Sequence, residues 1–461
     1  MIEKKLAEEA LGIAASSGAD FAELFAETTR HNSVTMTDGK IERLGDTLVA
    51  GVGIRAFVGT RTVFASTFDL SREAVLRCAA SVAAAVGDLK EAPAVRLREK
   101  KIPNAHPVRR APTDASVSAK ERADLLREGC FAAKDYDPAI SQVTGRLLGV
   151  DRSILVANTK GLYAADRHVR TRIAISAVAS RNGENQSGFY GPGRGMGMEM
   201  FETIRPADVG REAARQAVVN LNADYCPAGV MTVAIENGFG GVIFHEACGH
   251  SLEAAAVAIG ASQMAGKLGQ RIAGEKVTAV DDGSIPSAWG SVNMDDEGTP
   301  TRRNVLIENG VLKSYMVDRL GSRRMGLPMT GSGRREDYTF EATSRMTNTF
   351  IENGPDRNED IIASIEDGLY CKHMGGGSVN PLTGAFNFAV TEGYRVRGGK
   401  ICEAVRGASL IGTGSEILMN IDMVGQNLDY GTGMCGAASG SIPTNVGQPL
   451  IRVSTITVGG R

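Results

Sequence analysis

The stretch GVIFHEACGHSLEAA, residues 241–255, is the most informative part of the sequence for both the fold and the chemistry of the chain. This stretch holds two of the six histidines, and Glu246 directly follows the first of them. His245 and His250 stand five residues apart, one more than in the H-E-x-x-H pattern of helical zinc ligands. On a regular α-helix, residues five apart point about 140° from one another. We therefore expect a π-bulge beside Gly249, which would bring both imidazoles onto one face.

The residue types of this stretch suit a catalytic metal site. Two imidazoles can bind Zn²⁺ at about 2.0–2.1 Å and leave room for a third ligand and a water. Glu246 could take the proton of that water as it attacks a carbonyl. Glu253, three residues after His250, is a candidate further ligand or an acceptor for an imidazole N–H. The alternative interpretation is an ordinary buried helix whose two histidines are only hydrogen-bonded.

The spacing leaves the third ligand open among Cys248, His373 and Cys435. Cys248 lies inside the motif, but it would face away from two inward-pointing histidines, as a core cysteine does. His373 stands shortly before the sequence GGGS. Cys435 has glycines on both sides, which would let its thiolate come close to an ion.

Upstream of the motif, hydrophobic periodicity predicts two similar blocks. Helices are expected over 3–17, 71–86, 118–134 and 206–221, with Ser71 as the N-cap of the second. Between the helices of each pair, apolar and polar residues alternate as they do in strands. The order helix–strands–helix therefore occurs twice, which hints at an internal duplication.

Downstream of the motif the pattern is mostly that of strands. Hairpins are expected at 304–318, around Asn309-Gly310, and at 394–405, around Gly398-Gly399, with one helix at 354–370. The predicted fold class is α+β. An N-terminal α/β domain of helices and antiparallel strands would span 1–222. A β-rich, barrel- or sandwich-like C-terminal domain that carries the HExxxH helix would span 230–461.

Composition argues against several kinds of partner. The net charge is −2 and basic residues are scattered, so the chain lacks the basic face that nucleic acid or an anionic membrane requires. No stretch approaches the ~20 apolar residues of a membrane span, and the first 20 residues lack a signal-peptide core. Seven cysteines without a CxxC pair favour a reducing compartment over a disulfide framework. We expect a cytoplasmic protein without a nucleic-acid or membrane partner.

Three charged motifs follow the histidines. VDDG (280–283) and MDDEG (294–298) could hold a hard cation, but Asp-Gly and Glu-Gly pairs are typical of turns, and we favour turns here. GSGRRE (331–336) could place two guanidinium groups in a cleft for a peptide carboxylate. A solvated surface pair is the alternative.

Taken together, the motifs of the second half resemble those of one known family, the TldD branch of the TldD/PmbA metallopeptidases. The resemblance runs almost from end to end and is densest after about residue 230. The motifs that carry it are HEACGHSLE, VDDG, DDEG, NVLIENGVLKSYM, GSGRRE, RMTNT (345–349), GGGSV (375–379), LIGTGSE, MVG and CG followed by VGQP.

The resemblance implies a ligand set and an activity. His245, His250 and Cys435 would bind one zinc ion per chain, and Glu246 would be catalytic. The substrates would be small or unfolded peptides, including leader peptides. The chain would act as a homodimer or pair with a PmbA-type (TldE) subunit. An α/β N-terminal domain and a β-rich C-terminal domain are implied as well.

Two departures from the family pattern bear on substrate preference and on the partner. Relatives often read C-G-K-x-G-Q after the cysteine, whereas this chain reads CGAASG over 435–440. Many relatives have an aspartate after the histidine motif, where this chain has Ala254-Ala255. Because the ligand set is complete, we expect a peptidase. The alternative is a non-enzymatic regulator, since the family has also been linked to modulation of DNA gyrase.

Overall fold

The computed structural model describes residues 2–88, 91–380 and 383–461. In the first half, helices alternate with long strands, as the sequence predicts. The helices are α1 (Lys4–Ala14), α2 (Arg72–Val86), α3 (Ala119–Lys134) and α4 (Pro206–Asn222). The strands are β1 (Phe21–Thr37), β2 (Lys40–Val58), β3 (Arg61–Thr67), β4 (Arg98–Glu99), β5 (Ile140–Asn158), β6 (Leu162–Arg181), β7 (Glu184–Tyr190) and β8 (Gly193–Arg194). The Ser71 hydroxyl accepts from the Ala74 N–H, so it caps α2 as expected.

One largely antiparallel sheet unites the two blocks. Its strand order is β3-β2-β1-β5-β6-β4, and β7 and β8 also pair with β6. The two blocks meet at their first strands, which pair from Glu23 opposite Asn158 to Thr37 opposite Thr144. Helices α1 and α2 pack on the first block, and α3 and α4 on the second. The repeated order seen in the sequence is thus present in the topology.

The second half consists mainly of short strands. The strands are β9 (Asp224–Tyr225), β10 (Gly229–Ile235), β11 (Ala279–Asp282), β12 (Arg303–Glu308), β13 (Val311–Leu312), β14 (Gly333–Arg334), β15 (Thr343–Ser344), β16 (Asn348–Ile351), β17 (Asp367–Val379), β18 (Ala385–Arg397), β19 (Lys400–Arg406), β20 (Ser409–Thr413), β21 (Ile421–Val424), β22 (Asp429–Ala437), β23 (Gly440–Gln448) and β24 (Ile451–Gly459). The helices are α5 (Val242–Ala247), α6 (Ala254–Val257), α7 (Arg319–Met325), α8 (Asn358–Ala363) and α9 (Gly414–Met419).

Two sheets enclose the core of this half. One has the order β17-β10-β24-β20-β18-β19-β9, and β17 also pairs with β18, which closes it into a barrel-like form. The other has the order β13-β12-β11-β16-β23-β22. Helix α5 packs within the hydrophobic cluster to which both sheets contribute. The predicted α+β fold with a β-rich second half is confirmed. The division into domains at 222–230 stays a prediction.

Local predictions in the second half met different outcomes. The hairpin between β12 and β13 turns at Asn309 and Gly310, whose φ angles of 50° and 80° are those such a turn requires. The helix expected over 354–370 is wrong in extent, because α8 ends at Ala363 and β17 begins at Asp367. The reason is pairing with β10, where Gly368 lies opposite Thr232 and a Cβ on Gly368 would be 2.2 Å from the Thr232 carbonyl oxygen.

A buried network of charges joins the two halves. Glu23 in β1 lies 2.7 Å from Arg55 in β2, 3.3 Å from Arg335 and 3.4 Å from Arg319. Glu297 completes the network through an ion pair with Arg55. Glu23, Arg55, Arg335 and Glu297 are almost wholly buried, and Arg319 is partly exposed. We refer to these five residues as the buried charge network.

Both interpretations of GSGRRE are wrong. Arg335 belongs to the buried charge network, and Arg334 is also buried. Arg334 donates to the carbonyl oxygens of Met346 and Pro443, so neither guanidinium is free for a peptide or for solvent.

The acidic motifs lead into turns: VDDG runs from β11 into a turn at Gly283, and MDDEG forms a turn itself. In one, Asp282 accepts from the Ser284 N–H; in the other, Asp295 accepts from the N–H groups of Glu297 and Thr299. Among the described residues, no helix has both the length and the apolar character needed to cross a membrane.

Candidate metal centre

Two imidazole nitrogens and one sulfur converge at the core of the second half. Nε2 of His245 lies 3.2 Å from Sγ of Cys435, and Nε2 of His250 lies 3.3 Å from the same sulfur. The three donor atoms all lie within 4.8 Å of one another. The rings stand edge to face, with centroids 5.1 Å apart. The chain thus brings together the two histidines of the opening motif and a cysteine 185 residues beyond the second of them.

This donor set fits zinc. In a tetrahedral site with Zn–N of about 2.0–2.1 Å and Zn–S of about 2.3 Å, nitrogen and sulfur ligands are about 3.6 Å apart. The observed separations are close to that value. Three protein ligands also leave a fourth position for water or substrate, as catalytic zinc sites do.

The histidines meet because the helix breaks between them. Helix α5 ends at Ala247, Cys248 adopts φ −130° and ψ −46°, and a 3-10 turn then carries Gly249–Leu252. The predicted π-bulge is therefore wrong, since the extra residue lies between two short helices. Gly249 is required for a steric reason, because a Cβ there would lie 2.3 Å from Sδ of the buried Met346.

Cys435 is held near the end of β22, opposite Ile442 in β23. Burial opposes ionisation of its thiol, but hydrogen bonds with His245 and His250 outweigh that effect and lower the pKa of Cys435 to about 4. The sulfur is therefore a thiolate at neutral pH, which is the form that binds metals.

Glu253 orients the second histidine. Its Oε2 lies 3.2 Å from Nδ1 of His250, on the far side of the ring from Cys435. Burial disfavours the imidazolium, yet the charges of Glu253 and Cys435 and their hydrogen bonds raise the pKa of His250 to about 11. Without metal the site is an ion pair, and a metal dication would release that proton. Of the two roles expected for Glu253, the geometry favours the acceptor.

Glu246 occupies the more open side of the site. Its side chain is 26% exposed, whereas that of Glu253 is 8% exposed. Oε2 of Glu246 lies 3.8 Å from Nε2 of His250, the ring atom that faces Cys435. A carboxylate there can reach a water beside the metal-binding atoms, which is the position a general base needs.

The other two candidate ligands lie elsewhere. Cys248 is in the hydrophobic core, where burial raises the pKa of its thiol to about 12. His373 lies 3.2 Å from Glu212 in α4 and 3.6 Å from Glu392 in β18, a group that could hold a cation by its donor types. Arg215 already bridges both carboxylates, at 2.8 and 2.6 Å. This second group is better described as an ionic clamp between α4 and β18.

Sequence reasoning missed one buried side chain at the site. Arg345 donates to the carbonyl oxygen of Cys435 and lies 3.9 Å from the carboxylate of Glu253. Neither periodicity nor ligand spacing marks such a residue. The only signal was its place in the motif RMTNT.

Family models match almost the whole chain. The model described as PmbA/TldA metallopeptidase C-terminal domain matches residues 228–460. The models for the central domain and for domain 1 match residues 112–221 and 22–86.

Curated relatives carry metalloprotease names. A metalloprotease TldD homolog of Haemophilus influenzae is 36% identical over 96% of this chain and 93% of its own length. A zinc metalloprotease TldD homolog of Saccharolobus solfataricus is 30% identical over 53% of this chain and 55% of its own length.

Solved structures share the fold. A protein of Thermotoga maritima, described as a candidate modulator of a DNA gyrase, superposes with a TM-score of 0.80 at 21% identity, covering 99% of this chain and 100% of that one. TldE of Thermococcus kodakarensis superposes with a TM-score of 0.76 at 20% identity, with coverage of 99% and 100%.

Proposed function

Because the chain belongs to the TldD/PmbA family of metallopeptidases, we propose that it is a zinc-dependent peptidase of the cytoplasm that hydrolyses small or unfolded peptides, leader peptides among them. One observation carries the proposal: His245, His250 and Cys435 converge beside the more exposed Glu246. All seven cysteines are free of disulfide bonds, which is consistent with a reducing compartment.

Each residue of the site has a chemical task. His245, His250 and Cys435 would hold one zinc ion, although Fe²⁺ and Co²⁺ also suit such ligands. Zinc, when bound, supplies a Lewis acid that polarises the scissile carbonyl and makes water more acidic. Glu246 accepts the proton of the attacking water and passes it to the departing amine. Glu253 keeps the ring of His250 oriented throughout.

We place the peptide beside β22, the strand that carries Cys435. β22 ends the six-stranded sheet, and its one isolated β-bridge in the described residues joins Tyr430 to Gly238. Two of its carbonyl oxygens accept from side chains, that of Gly433 from Trp289 and that of Cys435 from Arg345, so a peptide would use other backbone groups of this edge. An extended peptide can add to such an edge through backbone hydrogen bonds, a mode that selects unfolded segments rather than particular side chains. Met434, which is 51% exposed, offers an apolar contact there.

We further propose that the active form is a dimer, either of two copies of this chain or with a TldE-like subunit. The support is the likeness of the whole fold to TldE of Thermococcus kodakarensis.

Glu246→Gln tests the mechanism, and Cys435→Ser is the comparison variant. The variant keeps the size of the side chain and all three metal ligands, so it should bind about one zinc per chain and lose at least about 100-fold in peptide hydrolysis. Cys435→Ser should instead lose metal, as measured by elemental mass spectrometry, and activity with it. Full activity in Glu246→Gln would refute the proposal.

The second candidate function is a regulator without enzymatic activity. The Thermotoga maritima structure is described as a candidate gyrase modulator, and this description favours a regulator. At 21% identity, the likeness itself concerns the fold alone. A regulator does not need a complete donor set with an accessible carboxylate beside it. A metal-loaded wild-type chain that leaves unstructured peptides intact, alone and with a TldE-like subunit, would favour this second function.

A further inference from the structure

Arg345 is a wholly buried arginine whose guanidinium holds the hairpin that carries Cys435. Nη2 donates to the Cys435 carbonyl oxygen at 2.5 Å. Nη1 donates to Oγ of Ser439 at 3.0 Å and to the carbonyl oxygen of Gly440 at 2.9 Å. One side chain therefore fixes the last residues of β22, the turn and the first residue of β23.

The same guanidinium faces the carboxylate that orients His250. Nε of Arg345 lies 3.9 Å from Oε1 of Glu253. Both atoms are buried, and neither has a hydrogen-bond partner in the described structure. The other oxygen of Glu253 contacts Nδ1 of His250. The guanidinium of Arg345 thus lies on one side of the Glu253 carboxylate and the ring of His250 on the other.

The backbone around Arg345 lies between the two metal-binding segments. Oγ of Ser344 accepts from the N–H of Ala255 at 2.8 Å, just after the histidine motif. On the other side, Met346 packs where Gly249 leaves room for it. Arg345 therefore contacts the hairpin from the segment that follows β15, and this segment is itself attached to the histidine segment through Ser344.

We propose that Arg345 is a positioning residue of the metal centre. Its guanidinium fixes the Cys435 hairpin and, through Glu253, the ring of His250, so that the sulfur and the imidazole nitrogen face the same point. The proposal rests on the proposed function, because it concerns the geometry of that metal site. Arg345 touches neither a metal-binding atom nor Glu246, so its effect should be on metal affinity before it is on catalysis.

The test is zinc affinity measured by chelator competition, with Arg345→Met compared with wild type. Loss of a residue that orients metal ligands typically costs about 10- to 100-fold in metal affinity, and we expect a loss in that range. The matched control is Arg334→Met, which also removes a buried guanidinium bound to backbone carbonyls, those of Met346 and Pro443. Arg334→Met should lower thermal stability but change zinc affinity less than about 3-fold.

Cobalt substitution gives a readout of geometry that does not depend on activity. In Arg345→Met loaded with saturating Co²⁺, the thiolate-to-cobalt absorption of Cys435 should shift or weaken. In Arg334→Met it should match wild type. Wild-type zinc affinity and cobalt spectrum in Arg345→Met, or equal losses in both variants, would overturn the proposal.

Two further variants keep the test decisive if Arg345→Met does not fold. Arg345→Lys retains the charge but cannot reach Cys435, Ser439 and Gly440 together, so zinc affinity should fall several-fold; wild-type affinity would overturn the proposal. Combined with Glu253→Gln, it should weaken binding by less than the sum of the two single losses, because Glu253 is one of the two groups through which Arg345 acts. Additive losses would refute the role of Glu253. If the wild-type chain bound no zinc, the proposed function would fail. If the wild-type chain bound zinc and Arg345→Met bound it equally well, only the positioning role of Arg345 would fail.

Discussion

Glu23→Gln should strongly destabilise the protein, because it removes the central carboxylate of the buried charge network. Glu23 is 2% exposed, and its carboxylate lies 2.7–3.4 Å from three guanidinium groups, those of Arg55, Arg335 and Arg319. Removing one partner of a buried ion pair costs about 3–5 kcal/mol, since the remaining charge stays buried without compensation. With three arginines dependent on one carboxylate, we expect a value in the upper part of that range.

The pH dependence of stability should change in a defined direction. Burial alone would raise the pKa of Glu23, but the charges of Arg55, Arg319 and Arg335 outweigh it and hold that pKa below its usual value. The ionised carboxylate therefore contributes stability above about pH 4.5, and this contribution is lost as the pH falls through the depressed pKa. Glu23→Gln should lack this loss on acidification.

Urea unfolding followed by tryptophan fluorescence measures the free-energy cost. The single tryptophan, Trp289, is 4% exposed and donates to the carbonyl oxygen of Gly433, close to Gly193 of the first half. Its emission therefore reports on separation of the halves. The matched control is Glu73→Gln, whose ion pair with Arg77 on α2 is exposed and should be worth less than about 0.5 kcal/mol. A cost below about 1 kcal/mol for Glu23→Gln would refute the reasoning.

Two further predictions concern the metal centre. In zinc-free protein, thiolate absorbance near 240 nm that is absent from Cys435→Ser should persist at neutral pH and disappear only as the pH falls through about 4. A midpoint near 8–9 would contradict the ion pair with His250. Gly249→Ala should cost about 1–3 kcal/mol in thermal or urea unfolding and weaken zinc binding, because its Cβ would overlap Met346. Met346→Ala in the same chain should restore much of the zinc affinity, and no restoration would show that the overlap is not the cause.

Local signals in the sequence were sufficient for much of the fold. The cap at Ser71, the turn at Asn309-Gly310 and the alternation of the long strands each depend on a few neighbouring residues. The break at Cys248 and the early end of α8 depend on contacts with distant segments. Gly249 meets Met346 and Gly368 meets Thr232, and neither contact leaves a mark in local periodicity.

The candidate site could be predicted only in part for the same reason. The spacing of His245, Glu246 and His250 indicated a metal, but it left three candidates for the third ligand. The family resemblance selected Cys435, and the structure brings that sulfur, rather than His373 or Cys248, to the imidazoles. Buried arginines escaped prediction because sequence patterns normally place arginine at the surface.

The separation of Cys435 from the histidines along the chain has a consequence for biosynthesis. His250 is translated 185 residues before the cysteine that completes the site. At translation rates of ~5–20 residues per second, roughly 10–40 s pass between the two. During that interval the growing polypeptide holds both histidines and Glu246 without the sulfur and without the strand beside which a peptide would bind. The order of residues therefore keeps the metal-binding set incomplete until β22 has been made, long after both histidines.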